Sequence, residues 1–169
     1  MGTRGLLGFI IAGRRRASYN QFDSYPSGLG AQVAKFILGL KEGEKRAMLE
    51  HVHNLTWFEP STKPNTELQE KYSKLGFSDT RVSNQELSDW YCLLRNVQGA
   101  NALPKILDGT LKHMPDDTRM LGSVEWSYFI DLKEDKLELY RGETLLETHG
   151  FAGLKESFLE GVEEDTVEE

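Results

Sequence analysis

The chain carries strand-like sequence at both ends and helix-like sequence between them, and this order limits the folds open to it. Near the start, "LLGFIIAG" is short, apolar and bounded by glycine, which predicts a buried strand. After a turn at "GRR", the alternating stretch "RASYNQF" predicts its returning partner. From Ser123 onward, "SVEWSYFIDL", "LELY" and "TLLETH" predict a three-stranded antiparallel meander, with Val124, Trp126, Tyr128 and Ile130 on one face.

The middle of the chain repeats its apolar residues at helical spacing. The predicted helices are residues 29–40, 44–53 and 65–75, a helix opened by the capping box of Ser83 and Glu86, and a short helix over 103–111. The stretch "WFEPSTKPN" predicts a loop. We therefore expect one α+β domain over residues 1–159, in which an antiparallel sheet of about five strands packs against a central helical segment. Residues 160–169, of which six are acidic, predict a disordered tail.

Composition excludes several classes of function. The 169 residues are 38% hydrophobic, and no apolar run approaches the ~20 residues that span a bilayer, so we expect a soluble protein without membrane contact. A net charge of −7 argues against general nucleic-acid binding, which needs a basic face. The single cysteine, Cys92, fits a reducing compartment and predicts a cytoplasmic location. No motif predicts a cofactor or a metal site.

The stretch "YNQFDSYPSGLG" joins the second predicted strand to the first predicted helix and concentrates polar side chains in between. A helix that starts at a sheet edge points its unpaired N–H groups outward. Gly28 and Gly30 allow a ligand to approach that backbone closely. The loop therefore predicts an anion site with Asn20, Asp23 and Tyr25 as ligand-binding residues, or a structural turn in which Asp23 or Ser24 caps the helix.

The first residues of the chain are expected to lie beside this loop. A hairpin that turns at Gly13 sets Thr3 and Arg4 opposite the end of its second strand. Arg4 then either pairs with Asp23 or offers its guanidinium to a ligand carboxylate or phosphate. Glu125 lies on the face of its strand opposite Trp126. It is expected to join Arg4 and Asp23 as a carboxylate pair suited to acid–base work, or else to be structural or exposed.

The same residues carry a resemblance. The start "MGTRG" and the stretch "YNQFDSYPSGLG" resemble a family of short, largely uncharacterised proteins of fungi, bacteria and phages. That family opens with Met-x-Thr-Arg and carries Tyr-x-x-Trp-Asp-Gly-Tyr-Pro-x-Gly-x-Gly. The later stretch "EWSYFIDLKEDKLELYRG" resembles its second signature. This chain departs from the pattern at Phe22 and Ser24. If the family's glycine supplies a positive φ, Ser24 requires a different turn. The resemblance implies a site near Asp23 but no activity.

Three functional hypotheses follow. The first is a site for a polar, anionic small molecule, held by Arg4 and the helix N-terminus, with Asp23 orienting the ligand or acting as a base. The second is an amide hydrolase of the N-terminal-nucleophile type, in which Thr3 is the nucleophile. The third is a protein-interaction module without enzymatic activity, in which Trp57 and Phe58 contact a partner protein.

Overall fold

Residues 3–154, which the computed structural model describes, form seven strands and five α-helices. The strands are β1 (Gly5–Ile11), β2 (Arg14–Asn20), β3 (Thr56–Phe58), β4 (His113–Pro115), β5 (Trp126–Asp131), β6 (Lys136–Arg141) and β7 (Thr144–Gly150). The helices are α1 (Ala31–Leu38), α2 (Glu42–His53), α3 (Thr66–Lys74), α4 (Trp90–Leu93) and α5 (Ala102–Leu107). The predicted acidic tail, residues 160–169, lies outside the described residues.

The predicted α+β class is confirmed, with a five-stranded sheet in the order β2-β1-β5-β6-β7. The N-terminal hairpin and the C-terminal meander are antiparallel, as predicted. The two units meet through a parallel pairing of β1 with β5, in which Gly5 lies opposite Trp126. Parallel neighbours need a long crossover connection, and the whole helical segment supplies it here. The sheet is therefore mixed, with one parallel pairing.

The helices cover one face of this sheet, and that face supplies most of the core. Its buried strand residues are Leu7, Phe9, Trp126, Tyr128, Ile130, Leu137 and Leu139. The opposite face buries a smaller cluster of Leu6, Ala17, Val124 and Phe129. The prediction that Val124 shares a face with Trp126 is wrong. Strand β5 begins only at Trp126, so the alternation of the strand does not reach back to Val124. Each fully buried Leu or Phe contributes about 1.5–3 kcal/mol to stability.

The prediction of a helix that begins at Ser83 is wrong. Ser83 and Gln85 have φ values of 52° and 59°, in the left-handed region that a helix does not use. The helix starts later, at Trp90, and Asp89 is its cap, because one Asp89 carboxylate oxygen accepts the Tyr91 N–H at 2.9 Å.

Two predicted loops also differ. Thr56–Phe58 form β3, which pairs in parallel with β4 in a second, two-stranded sheet. The first hairpin turns at Ala12 and Gly13, both with positive φ, so the arginines of "GRR" lie in β2. Arg15 donates two hydrogen bonds of 2.7 Å to the buried carboxylate of Glu138, and this pairing raises the pKa of Arg15.

No helix within residues 3–154 combines the length and the apolar character needed to cross a membrane.

We expect Gly8→Ala to destabilise the fold. A Cβ at Gly8 would overlap the Arg16 carbonyl oxygen and the Ala17 Cα of the neighbouring strand, and backbone atoms move only at high cost. The expected loss in the free energy of unfolding is at least about 1–3 kcal/mol. Gly43→Ala is the matched control, because Gly43 lies in α2 with no atom near the added methyl group. Urea denaturation should show that this control gains about 0.5–1 kcal/mol. Equal stability of the two variants would contradict the β1–β2 packing.

Candidate functional site

The predicted loop lies against the first described residues, as expected from the hairpin. Gly5 lies opposite Asn20, and the Ser24 N–H donates to the Thr3 carbonyl at 3.0 Å. On the other side, the Glu125 N–H donates to the Arg4 carbonyl at 3.1 Å. The predicted proximity of the chain start to this loop is therefore confirmed. The role of Thr3 as a nucleophile stays a prediction.

The interior of the loop is a closed set of hydrogen bonds. The Asn20 side-chain amide donates to the Phe22 carbonyl at 2.7 Å and to the Ser24 hydroxyl at 2.8 Å. Ser24 is fully buried, and its carbonyl accepts the Tyr128 hydroxyl at 2.6 Å. The left-handed residue of the turn is Asp23, with φ 55°, rather than Ser24. Asn20 and Ser24 thus tie the loop to β5.

The N–H groups at the predicted anion site are engaged within the loop. Residues 26–30 form a wide helical turn before α1. The Gly28 and Gly30 N–H groups donate to the Tyr25 carbonyl at 2.9 and 3.4 Å, and the Leu29 N–H donates to the Asp23 carbonyl at 2.8 Å. A Cβ at Gly28 would overlap that same Asp23 oxygen, so the turn itself requires glycine there.

The charged side chains of the predicted site remain at the surface. Arg4 donates to the Ser123 carbonyl at 2.8 Å, and Asp23 accepts the Tyr25 hydroxyl at 3.2 Å. Within residues 3–154, no ion pair joins Arg4 to Asp23. Glu125 is exposed, and its hydrogen bond to Arg4 is made by its backbone. The three charges lie around one edge of the hairpin without being paired to one another.

A cleft of about 260 Å³ opens beside β2, at a place that no sequence motif predicted. Its apolar walls are Tyr19, Pro60, Trp90, Tyr91, Leu94, Val97, Met114, Pro115 and Met120. Its polar lining residues are Ser18, Asp89, Gln98 and Asp117. These residues come from distant parts of the chain, so no local motif marks them. The lining contains two carboxylates but no lysine, arginine or histidine.

Asp117 lies along the outer edge of β2 and hydrogen-bonds to the backbone of that strand. Its backbone N–H donates to the Ala17 carbonyl at 2.8 Å, and its side-chain oxygen Oδ2 accepts the Tyr19 N–H at 2.8 Å. The neighbouring hydroxyl of Thr118 accepts the Ala17 N–H at 3.0 Å. Burial raises the pKa of the Asp117 carboxyl, and the hydrogen bond from Tyr19 offsets only part of this.

Asp89, the second carboxylate of the cleft, is better satisfied. It accepts hydrogen bonds from the Tyr91 N–H at 2.9 Å and from the Ser83 hydroxyl at 2.8 Å. Burial opposes its ionisation, but these hydrogen bonds outweigh burial and lower the pKa of the Asp89 carboxyl. Asp89 is therefore a fixed negative charge at the start of α4.

Aromatic rings stack behind the cleft. Trp90 lies over Phe58 with 3.9 Å between ring centroids and over His113 with 5.8 Å. Burial lowers the pKa of His113, which shares a hydrogen bond of 2.6 Å with the Tyr72 hydroxyl. Trp57 and Phe58 are half-buried and pack against the main core. Their contact with a partner protein stays a prediction.

Comparison of the chain with protein-family models, with curated proteins and with solved structures finds no significant match.

We expect Tyr128→Phe to destabilise the protein by about 1–3 kcal/mol, because the buried Ser24 carbonyl loses its donor while the shape of the core is kept. Tyr91→Phe is the matched control, since the Tyr91 hydroxyl makes no hydrogen bond within residues 3–154. That control should change the free energy of unfolding by less than about 0.5 kcal/mol. Denaturant titration of both variants measures the difference, and equal effects would show that the loop does not depend on this bond.

Proposed function

We propose that the protein binds a small, largely apolar molecule in the cleft beside β2. The observation that carries this proposal is the cleft itself, which combines apolar and aromatic walls with a few polar groups. Binding sites for small molecules have this composition. The cleft volume of about 260 Å³ lies just below the ~300 Å³ at which typical ligand pockets begin, which favours a ligand of one or two rings.

In this proposal the stretch "YNQFDSYPSGLG" supports one wall of the cleft. The Gln21 N–H donates to the Gln98 side chain at 2.7 Å. Gly99 has φ 65° and lies so close to Asn20 that a Cβ would overlap the Asn20 side-chain oxygen. Gln98 and Gly99 both line the cleft. The loop therefore holds one wall at a fixed distance from β2.

A second candidate function is the anion site expected from the sequence, located at the hairpin edge with Arg4, Asp23 and Glu125. The observation that favours it is the backbone of Asp23, an exposed residue with φ 55°. Strained non-glycine residues are concentrated at functional sites. Arg4 is exposed beside it and has donor groups left for a carboxylate or a phosphate. In this proposal Asp23 orients the ligand or accepts a proton.

The cleft proposal predicts that indole binds between Met114 and Met120. With methyl-labelled methionine, indole should shift both of these methyl signals in a saturable way, because both side chains line the cleft. The Met48 methyl group, fully buried in the core, should not respond. Met120→Trp should weaken indole binding at least tenfold by filling the cleft, whereas Leu75→Trp at an exposed position should not. Absence of a saturable shift at Met114 and Met120 in the unmodified protein would overturn the proposal.

The anion proposal predicts that Arg4→Ala removes a specific effect of phosphate on stability. A ligand that binds only the folded state raises the melting temperature, so inorganic phosphate should stabilise the unmodified protein. Arg14→Ala is the matched control, because Arg14 is also exposed and makes no hydrogen bond through its side chain within residues 3–154. Phosphate should stabilise this control as well as the unmodified protein. An equal rise in melting temperature for Arg4→Ala would rule out an anion site at Arg4.

A further inference from the structure

We propose that the ligand of the cleft is a small aromatic amine whose ammonium group binds the Asp117 carboxylate. This inference rests on the proposed cleft function and specifies the chemical class of the ligand. The aromatic part lies against the rings of the cleft wall, and the cationic part faces Oδ1 of Asp117.

The two oxygens of Asp117 have different surroundings. The residue is buried, with 8% of its surface exposed, and its Oδ2 atom accepts the Tyr19 N–H. Its Oδ1 atom accepts no hydrogen bond from residues 3–154. Three side-chain polar atoms of those residues are fully buried without a hydrogen-bond partner, namely Trp57 Nε1, Trp90 Nε1 and Ser127 Oγ. Oδ1 of Asp117 is not among them. Oδ1 is therefore not sealed from solvent, and Asp117 lines the cleft.

The described residues leave the charge of Asp117 without a bound counter-ion. Arg16, on the strand beside it, pairs with Asp116 at 3.0 Å. Arg119 is exposed, attracts Asp117 only through space and does not line the cleft. Residues 3–154 contain no cluster of three or more potential metal-ligating side chains. A buried carboxylate is normally paired, so a cationic ligand completes the site.

The remaining walls suit the same ligand. Tyr19, Trp90 and Tyr91 bring aromatic rings to the cleft lining, and aromatic rings attract a cation within about 6 Å of the ring centroid as well as an apolar ring. Asp89 adds a second negative charge, although its own hydrogen bonds are already made by Ser83 and Tyr91. The field in the cleft therefore favours a cation over an anion.

The structural role of Asp117 does not account for its charge. Accepting the Tyr19 N–H at the edge of β2 requires only a neutral oxygen, which asparagine also has. Because burial raises the pKa of Asp117, its ionised form costs stability once the pH rises through the folded-state value. Asp117→Asn should therefore be as stable as the unmodified protein at neutral pH, or more stable.

The test compares tryptamine with indole, its neutral counterpart, through the methyl signals of Met114 and Met120. The unmodified protein should bind tryptamine at least tenfold tighter than indole. Asp117→Asn should lose this preference, so that it binds tryptamine and indole with similar affinity. Asp116→Asn, the matched control, removes a neighbouring carboxylate that does not line the cleft, and the preference should persist.

Each other outcome is decisive. If indole binds the unmodified protein but tryptamine binds no tighter, the cation proposal fails and the cleft proposal stands, and this comparison needs no variant. If Asp117→Asn keeps the preference for tryptamine, Asp117 is not the anchor. If neither compound shifts the two methyl signals, the cleft proposal fails and the cation proposal fails with it.

Discussion

Strand β1 has hydrogen-bonded neighbours on both sides, and the rest of the fold follows from this position. It pairs with β2 as a hairpin and with β5 in parallel, so its backbone is shared between the two ends of the chain. The five α-helices of residues 3–154 therefore lie in the crossover between the end of β2 and the start of β5. The extension of β1 through Thr3 and Arg4 continues the same arrangement, with Ser24 bonded on one side and Glu125 on the other.

The cleft is a consequence of how this crossover passes the edge of β2. The segment after β4 runs along that edge and bonds to it through the Asp117 side chain and the Thr118 hydroxyl instead of a regular strand ladder. The cleft lies between this segment and residues 89–99. The turn at Gly99, fitted against Asn20, fixes the opposite wall.

The sequence predicted the features that depend on local pattern. Alternating residues and tight turns identified the hairpin and the meander, and the hairpin geometry predicted Thr3 and Arg4 near Asn20 and Asp23. Alternation carries no information on strand direction, so the parallel β1–β5 pairing was not predicted. The helix start predicted from the capping box of Ser83 and Glu86 was wrong, because a motif of only two residues is easily matched by chance. The residue that caps the helix is Asp89. The cleft was missed because its lining residues meet only in the folded chain.

The bonding at the edge of β2 also affects how the sheet can meet other molecules. The Ala17 N–H, the Ala17 C=O and the Tyr19 N–H are already bonded to Asp117 and Thr118, so a foreign strand finds no continuous row of partners there. Within residues 3–154 the opposite edge is β7, where Leu145 and Leu146 are exposed. A foreign strand can therefore pair with the sheet more readily at β7 than at β2. Misassembly by strand addition would begin at β7.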